Sequence, residues 1–376
     1  MYIDRVHFYV ENASKWRDWF VKVVGFQAIA SGQTLQAHTE VVSSGDNNGI
    51  KFVFSSPLTE SSPVAQYLRQ HPPGVADVAF LVRDIQAVME RVKVGGAKVL
   101  QPLQRQQFAR GDLQWSKINN NVSFSHTLIQ RTGKTPLLPE LPSEQQPWLN
   151  RSEVLFNAID HIVLNVEAGY LQPTVNWYEG VLGFQRKQTF AIETQHSGLY
   201  SQVMVHPVSG VQFPINEPIS VNSQVQEFLD INRGAGIQHL ALKTTNITRV
   251  TKQLRAAGMS FLSVPDSYYE QLAKECSDRQ LSVQEWQEIV QQRILVDSCQ
   301  ETTSSLSPLL LQIFTQPIFK EPTFFLEIIE RRDRACGFGE GNFRALFAAI
   351  EQEQSKRGSL GHSNGKTKKE KELTES

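Results

Sequence analysis

Residues 159–166 read Ile-Asp-His-Ile-Val-Leu-Asn-Val, and residues 3–10 read Ile-Asp-Arg-Val-His-Phe-Tyr-Val. These two stretches are the same word written twice, and their correspondence organises the whole chain. Each opens a strand-like run and is followed by an aromatic-rich helical segment with a common ending. Trp16, Trp19 and Phe20 lead to Val24-Gly25-Phe26-Gln27, and Trp177 and Tyr178 lead to Leu182-Gly183-Phe184-Gln185. A glycine at that place suits a helix end, where a left-handed backbone costs least. A second pair of words also recurs. GVADVAFLV (74–82) precedes a helical stretch and GGAKVL, and GIQHLALKT (236–244) precedes a helical stretch and AAGMSFL. Strand, helix, then further strands is thus written four times, as two pairs. The expected fold class is α+β, with two domains, each of paired βαβββ modules forming an open barrel around a cavity.

The stretch 133–157 is rich in proline and polar residues and lacks periodicity, so it reads as a linker between domains at 1–132 and 158–356. Residues 357–376 lack an apolar pattern and read as a disordered tail. At 376 residues, with 40% hydrophobic and 20% charged residues, the chain can bury a substantial core. A formal net charge of −1 gives no electrostatic reason to expect nucleic acid. No apolar run is long enough to span a bilayer, and the opening MYIDRVHFYV enters a strand pattern without a signal-like layout. A cytoplasmic protein with no membrane association is expected. Cys276, Cys299 and Cys336 form no metal or disulfide spacing.

The repeat supplies an internal control, because equivalent strand positions can be compared within one chain. His161 corresponds to Arg5, His239 to Asp77 and, through FSHTLIQR (124–131) and FFLEIIER (324–331), Glu327 to Thr127. Only the second half carries a metal-capable set. In a strand, side chains alternate between faces. His161 shares its face with Val163 and Asn165, and Glu327 shares its face with Phe325 and Ile329. Taken singly, either histidine fits an ordinary core position, and Glu327 could pair with Arg331 or Arg332. Together, two imidazoles and a carboxylate on three strands of one barrel form the facial set that non-haem Fe(II) oxygenases use.

The chain resembles the 4-hydroxyphenylpyruvate dioxygenases of the vicinal-oxygen-chelate superfamily. The words that carry the resemblance are IDHIVLNV (159–166), FPINEP (213–218), GAGIQHLAL (234–242), LLLQIFTQP (309–317), FFLEIIER (324–331) and GFGEGNFRALF (337–347). It is strongest over 156–354 and implies a fold of the glyoxalase/bleomycin-resistance/dihydroxybiphenyl dioxygenase type. It further implies Fe(II) on His161, His239 and Glu327, with a 2-oxo acid and O2 as substrates and homogentisate and CO2 as products. Ser201, Asn216, Gln224, Gln238, Gln312, Phe314, Phe325, Phe338 and Phe343 match the family's substrate-contacting positions, and a homo-oligomer built through the N-terminal domain is implied as well. Homogentisate serves either tyrosine catabolism or the synthesis of quinone and tocopherol precursors. Phe343, Leu346, Phe347 and Ile350 fall on one helical face behind Gly337, Gly339 and Gly341, the pattern of a hinged lid and equally that of an inert terminal helix packed on the barrel.

Three rival readings carry distinct expectations. A 4-hydroxymandelate synthase would use the same substrate, iron and fold with a less aromatic pocket. An extradiol catechol dioxygenase would need a histidine base, for which His196 and His206 are the candidates. A non-catalytic small-molecule binder on this barrel would have no need of the triad.

Overall fold

A computed structural model describes residues 1–45, 49–120, 122–141, 154–193, 198–275, 281–298 and 308–357. Cys276, Cys299, His196, the tail beyond 357 and most of the 298–308 stretch lie outside the described residues. The first sheet contains β1 (Tyr2–Tyr9), β2 (Gln27–Gln33), β3 (Ala37–Ser43), β4 (Lys51–Pro57), β5 (Gly74–Leu81), β6 (Lys98–Phe108), β7 (Gly111–Asn119) and β8 (His126–Gly133). The second contains β9 (Ala158–Asn165), β10 (Gln185–Glu193), β11 (Gly198–Val205), β12 (Gln212–Pro218), β13 (Gly236–Lys243), β14 (Leu295–Ser298), β15 (Leu309–Phe314) and β16 (Phe325–Arg331).

The strand orders are the same once the copies are aligned: β2-β3-β4-β1-β5-β8-β7-β6 and β10-β11-β12-β9-β13-β16-β15-β14. In the second half, β9 runs parallel to β12 and antiparallel to β13, and β13 runs parallel to β16. Each module therefore contributes a four-stranded wing, and the two wings join at the β9–β13 seam. The curled sheet leaves its concave face open, as an α+β open barrel requires. His161, His239 and Glu327 sit on the three adjacent central strands of this face.

Local sequence explains the joints. The aromatic helical segments end in π-helical turns, Phe20–Val24 and Tyr178–Leu182. Each then reverses through a left-handed glycine, Gly25 (φ 81°) and Gly183 (φ 74°). Side chains from the convex faces merge into one apolar core that crosses between the halves. Phe8 packs edge-on to Phe324 at 5.2 Å, and Trp16 packs against Phe319 at 4.5 Å. The buried His126 ring bridges the halves, its Nε2 lying 2.9 Å from the Tyr178 hydroxyl. Burying a large apolar side chain of this kind contributes about 1.5–3 kcal/mol, so neither half presents this face to water.

One expectation fails. The AAGMSFL stretch (256–262) is not a ladder strand, and its sole pairing is the isolated bridge Phe261–Thr315. Met259, Phe261, Leu262 and Val264 are buried regardless, in the core cluster that also takes Tyr269, Leu272 and Ile289 from two inserted helices, Asp266–Glu275 and Val283–Gln292. The edge place that the repeat assigns to this stretch is taken by β14, which comes after the insertion. Among the described residues, no helix is long and apolar enough to cross a membrane.

Candidate metal centre

His161, His239 and Glu327 converge on the concave face of the second sheet, with their ligand atoms all within 4.8 Å of one another. His161 Nε2 lies 3.0 Å from Glu327 Oε2, and His239 Nε2 lies 3.6 Å from the same oxygen. Glu327 is 1% exposed, so its charge must be compensated by what surrounds it. Neither arginine considered from the sequence supplies that compensation. Arg331 is committed to Asp160, and Arg332 to Glu330 and Glu285. Alternation along β16 turns Glu330 away from Glu327's face and Arg332 goes with it, whereas Arg331 shares that face but lies four residues along the strand, where Asp160 takes it up.

The surrounding bonds set the orientation of each ligand. Asp160 Oδ1 lies 2.9 Å from His161 Nδ1, which leaves Nε2 directed at the centre. Arg331 grips Asp160 in a fork, donating from Nε and Nη2 at 2.7 Å each. Gln312 Nε2 donates to Glu327 Oε1 at 2.9 Å and to the Phe338 carbonyl at 3.1 Å. Its own carbonyl accepts from Asn342 Nδ2 at 3.0 Å, and Asn342 accepts in turn from the Tyr268 hydroxyl at 2.7 Å. His239 stacks on Phe325 at 4.6 Å.

Electrostatics match this arrangement. Burial opposes the charged form of His161, yet Glu327 and Asp160 beside it carry its pKa up to about 9. Burial likewise opposes the Glu327 carboxylate, yet His161 and His239 hold it at about 2. Burial pushes His239 down, so its imidazole stays neutral with a free lone pair. The anionic oxygen, the neutral imidazole and the one proton that a cation could displace suit a divalent metal. Two imidazole nitrogens and one carboxylate suit a mononuclear divalent metal that keeps positions open for other groups.

Above this centre opens a cavity of about 630 Å³, mouth included. All twelve positions singled out from the sequence line it, namely the three candidate ligands with Ser201, Asn216, Gln224, Gln238, Gln312, Phe314, Phe325, Phe338 and Phe343. Val163, Phe190, Ile192, Leu199, Pro214, Leu346, Phe347 and Ile350 complete its apolar wall. Gln238 and His239 are neighbours in sequence, yet both face the cavity, because a register shift between Ile237 and His239 breaks strict alternation. His206 is elsewhere, beside Phe184 and Ser209, and offers the cavity no base.

Gly339 has φ 79°, and a Cβ there would collide with the Gln312 amide. Gly339→Ala is expected to cost about 1–2 kcal/mol in backbone strain alone and to turn Gln312 away from Glu327. The check is a lowered denaturation midpoint accompanied by weaker metal retention, whereas a change in stability alone would separate Gly339 from the centre.

With two such barrels, the chain is a two-domain member of the Glyoxalase/Bleomycin resistance protein/Dioxygenase superfamily, whose models match residues 4–113 and 158–279. It is 35% identical to the 4-hydroxyphenylpyruvate dioxygenase of Caenorhabditis briggsae, over 96% of this chain and 94% of that one. It is 37% identical to the Dictyostelium discoideum enzyme of that name, over 95% of this chain and 99% of that one. A solved triple mutant of 4-hydroxymandelate synthase from Streptomyces coelicolor superposes with a TM-score of 0.82 at 26% identity, covering 94% of this chain and 98% of that one. The chain belongs to the 4-hydroxyphenylpyruvate dioxygenase family and is an enzyme of that type.

Proposed function

We propose that this enzyme converts 4-hydroxyphenylpyruvate and O2 into homogentisate and CO2, with Fe(II) held by His161, His239 and Glu327. The observation that carries this reading is the buried triad at the floor of a cavity walled by phenylalanines and neutral amides. Bound iron would supply the O2 activation that protein side chains lack.

The residues around it do the positioning. Asp160 and Gln312 fix the His161 ring and the Glu327 carboxylate, so the ligands are ordered before metal or substrate arrives. Phe314, Phe325, Phe338 and Phe343 offer faces and edges to a phenol ring. Ser201, Asn216, Gln224 and Gln238 can hold polar oxygens of the substrate without adding charge. The helix Phe343–Arg357 presents Phe343, Leu346, Phe347 and Ile350 to the cavity and excludes water from that side. Its approach through Gly337 and Gly339, both left-handed, gives it a hinge for closing over substrate. Assembly into a homo-oligomer through the N-terminal barrel belongs to the same proposal.

The test is anaerobic loading with Fe(II), then addition of 4-hydroxyphenylpyruvate and O2, with products identified by chromatography and mass. Homogentisate with matching CO2 is expected. Hydroxymandelate would reassign the enzyme to the synthase reaction, which the structural likeness to that enzyme makes the second reading. Bound metal with no product from this substrate would overturn the assignment.

A further inference from the structure

The N-terminal barrel keeps the outer clamp of the metal centre and replaces everything inside it. Arg131 grips Asp4 from Nε and Nη2 at 3.3 and 3.1 Å, as Arg331 grips Asp160. It also donates to the Pro136 and Leu137 carbonyls, as Arg331 does to those of Ala335 and Gly337. In place of His161, His239 and Glu327 stand Arg5, Asp77 and Thr127. They line a cavity of about 1000 Å³, mouth included, between the concave face of the first sheet and the segment 137–141.

The polar groups in this cavity are unevenly satisfied. Asp77 is buried, and its Oδ1 accepts from the Ser125 and Thr127 hydroxyls at 2.7 and 2.9 Å. Arg5 is 5% exposed and spends one N–H on Asp4 at 2.7 Å, while its buried Nε has no partner. Lys117 projects from β7 into the same space, with no hydrogen-bond partner among the described residues. Its charge faces Asp77 and Arg5 together. The inner groups Asp4, Asp77, Arg5, Arg131 and Lys117 leave one positive charge over, and Glu140 stands exposed at the rim. His7, which shares the wall, is held neutral by burial and by Lys117 and Arg5. A buried guanidinium N–H without an acceptor is costly, and an excess buried cation more so. Tyr9 and Trp115 add ring surface beside these donors.

We propose that the N-terminal barrel is a second ligand site, binding a small aromatic monocarboxylate with its carboxylate between Arg5 and Lys117 and its ring along Tyr9 and Trp115. One anion balances the surplus charge and gives the Lys117 ammonium an acceptor. The site is independent of the metal centre, because no residue lines both cavities.

Phenylacetate titrated into full-length protein carrying 5-fluorotryptophan provides the test. Trp115 is one of six tryptophans, and its fluorine resonance is assigned by loss in Trp115→Phe. Saturable movement of that resonance is expected. Lys117→Met should weaken it at least tenfold. Asp77→Asn should tighten it several-fold, because an amide oxygen still accepts from Ser125 and Thr127 while the competing charge is gone. The other tryptophan resonances report whether each variant keeps its fold, and a fold lost in Lys117→Met leaves the Asp77→Asn gain as the deciding result. A Trp115 signal indifferent to phenylacetate up to about 10 mM, weaker than specific sites of this kind, overturns the proposal. So does a response that neither variant changes.

Discussion

Glu327→Gln should leave the protein folded and unable to retain metal or turn over substrate. The glutamine keeps the volume and can still accept from Gln312, so the barrel has no steric reason to fail. What disappears is the single negative charge among the ligands, at a position 1% exposed to solvent. Removing one partner from a buried charged set costs roughly 3–5 kcal/mol, which is about two to nearly four orders of magnitude in an equilibrium constant. Metal content after dialysis should therefore fall to background, and homogentisate formation with it. Stoichiometric metal in Glu327→Gln would remove the carboxylate from the ligand set.

The same substitution has a signature in chelator-stripped protein. The pKa of His161 rises from 6.5 to about 9 chiefly against burial, through Glu327 and Asp160. A raised histidine contributes stability that is complete below pH 6.5 and is lost as pH climbs through about 9. Glu327, held at about 2, contributes above its ordinary value of 4.5 and loses that contribution as pH falls through about 2. The stripped wild type should accordingly weaken on the alkaline side across this window, and Glu327→Gln should show a shallower alkaline loss because less of the rise remains.

The candidate ligand positions are legible because the chain carries its own control. Arg5, Asp77 and Thr127 show what those strand positions hold in the half without the triad, and alternation places His161 and Glu327 on the inner face. The cavity lining was legible only through resemblance, since nothing in the spacing of Ser201, Asn216 or Gln224 marks them. Strict alternation would have turned Gln238 away from His239's side, and the bulge that brings both inward leaves no trace in residue type. Phe190 and Leu199 were missed because an aromatic or aliphatic residue on a half-buried strand reads the same whether it faces core or cavity. The Asp160–Arg331 clamp joins residues 171 apart, a separation at which sequence offers no pairing rule. In the sequence Asp160 is only part of a repeated word, and the fold alone shows that its twin Asp4 holds a twin arginine. The misread AAGMSFL stretch shows the reverse case, in which buried apolar residues filled a gap without joining the ladder.

That clamp sets the second large effect. Asp160→Asn should lower metal affinity roughly 10- to 100-fold without touching a ligand atom. The carboxylate accepts from His161 Nδ1 and from both arms of Arg331. An amide oxygen at the Oδ1 place still serves His161 Nδ1 and Arg331 Nη2 but sets the N–H2 against Arg331 Nε, and the reverse orientation keeps Nε and sets the N–H2 against His161 Nδ1 and Arg331 Nη2. If the amide turns toward His161, the ring is pressed into the tautomer with the proton on Nε2, where the metal must bind. The pH dependence separates this from general damage. A metal entering the wild-type centre displaces the proton that His161 holds, so apparent affinity should rise about tenfold per pH unit up to about 9 and then level off. With Asp160 neutral, one of the charges that raises His161 is gone, and the levelling should come at lower pH. Equilibrium dialysis of metal across this range, for wild type and Asp160→Asn, measures both quantities at once. A variant that binds more weakly by a constant factor, with the bend unmoved, would mean that Asp160 acts on the centre by packing alone and that its charge has no part in orienting His161.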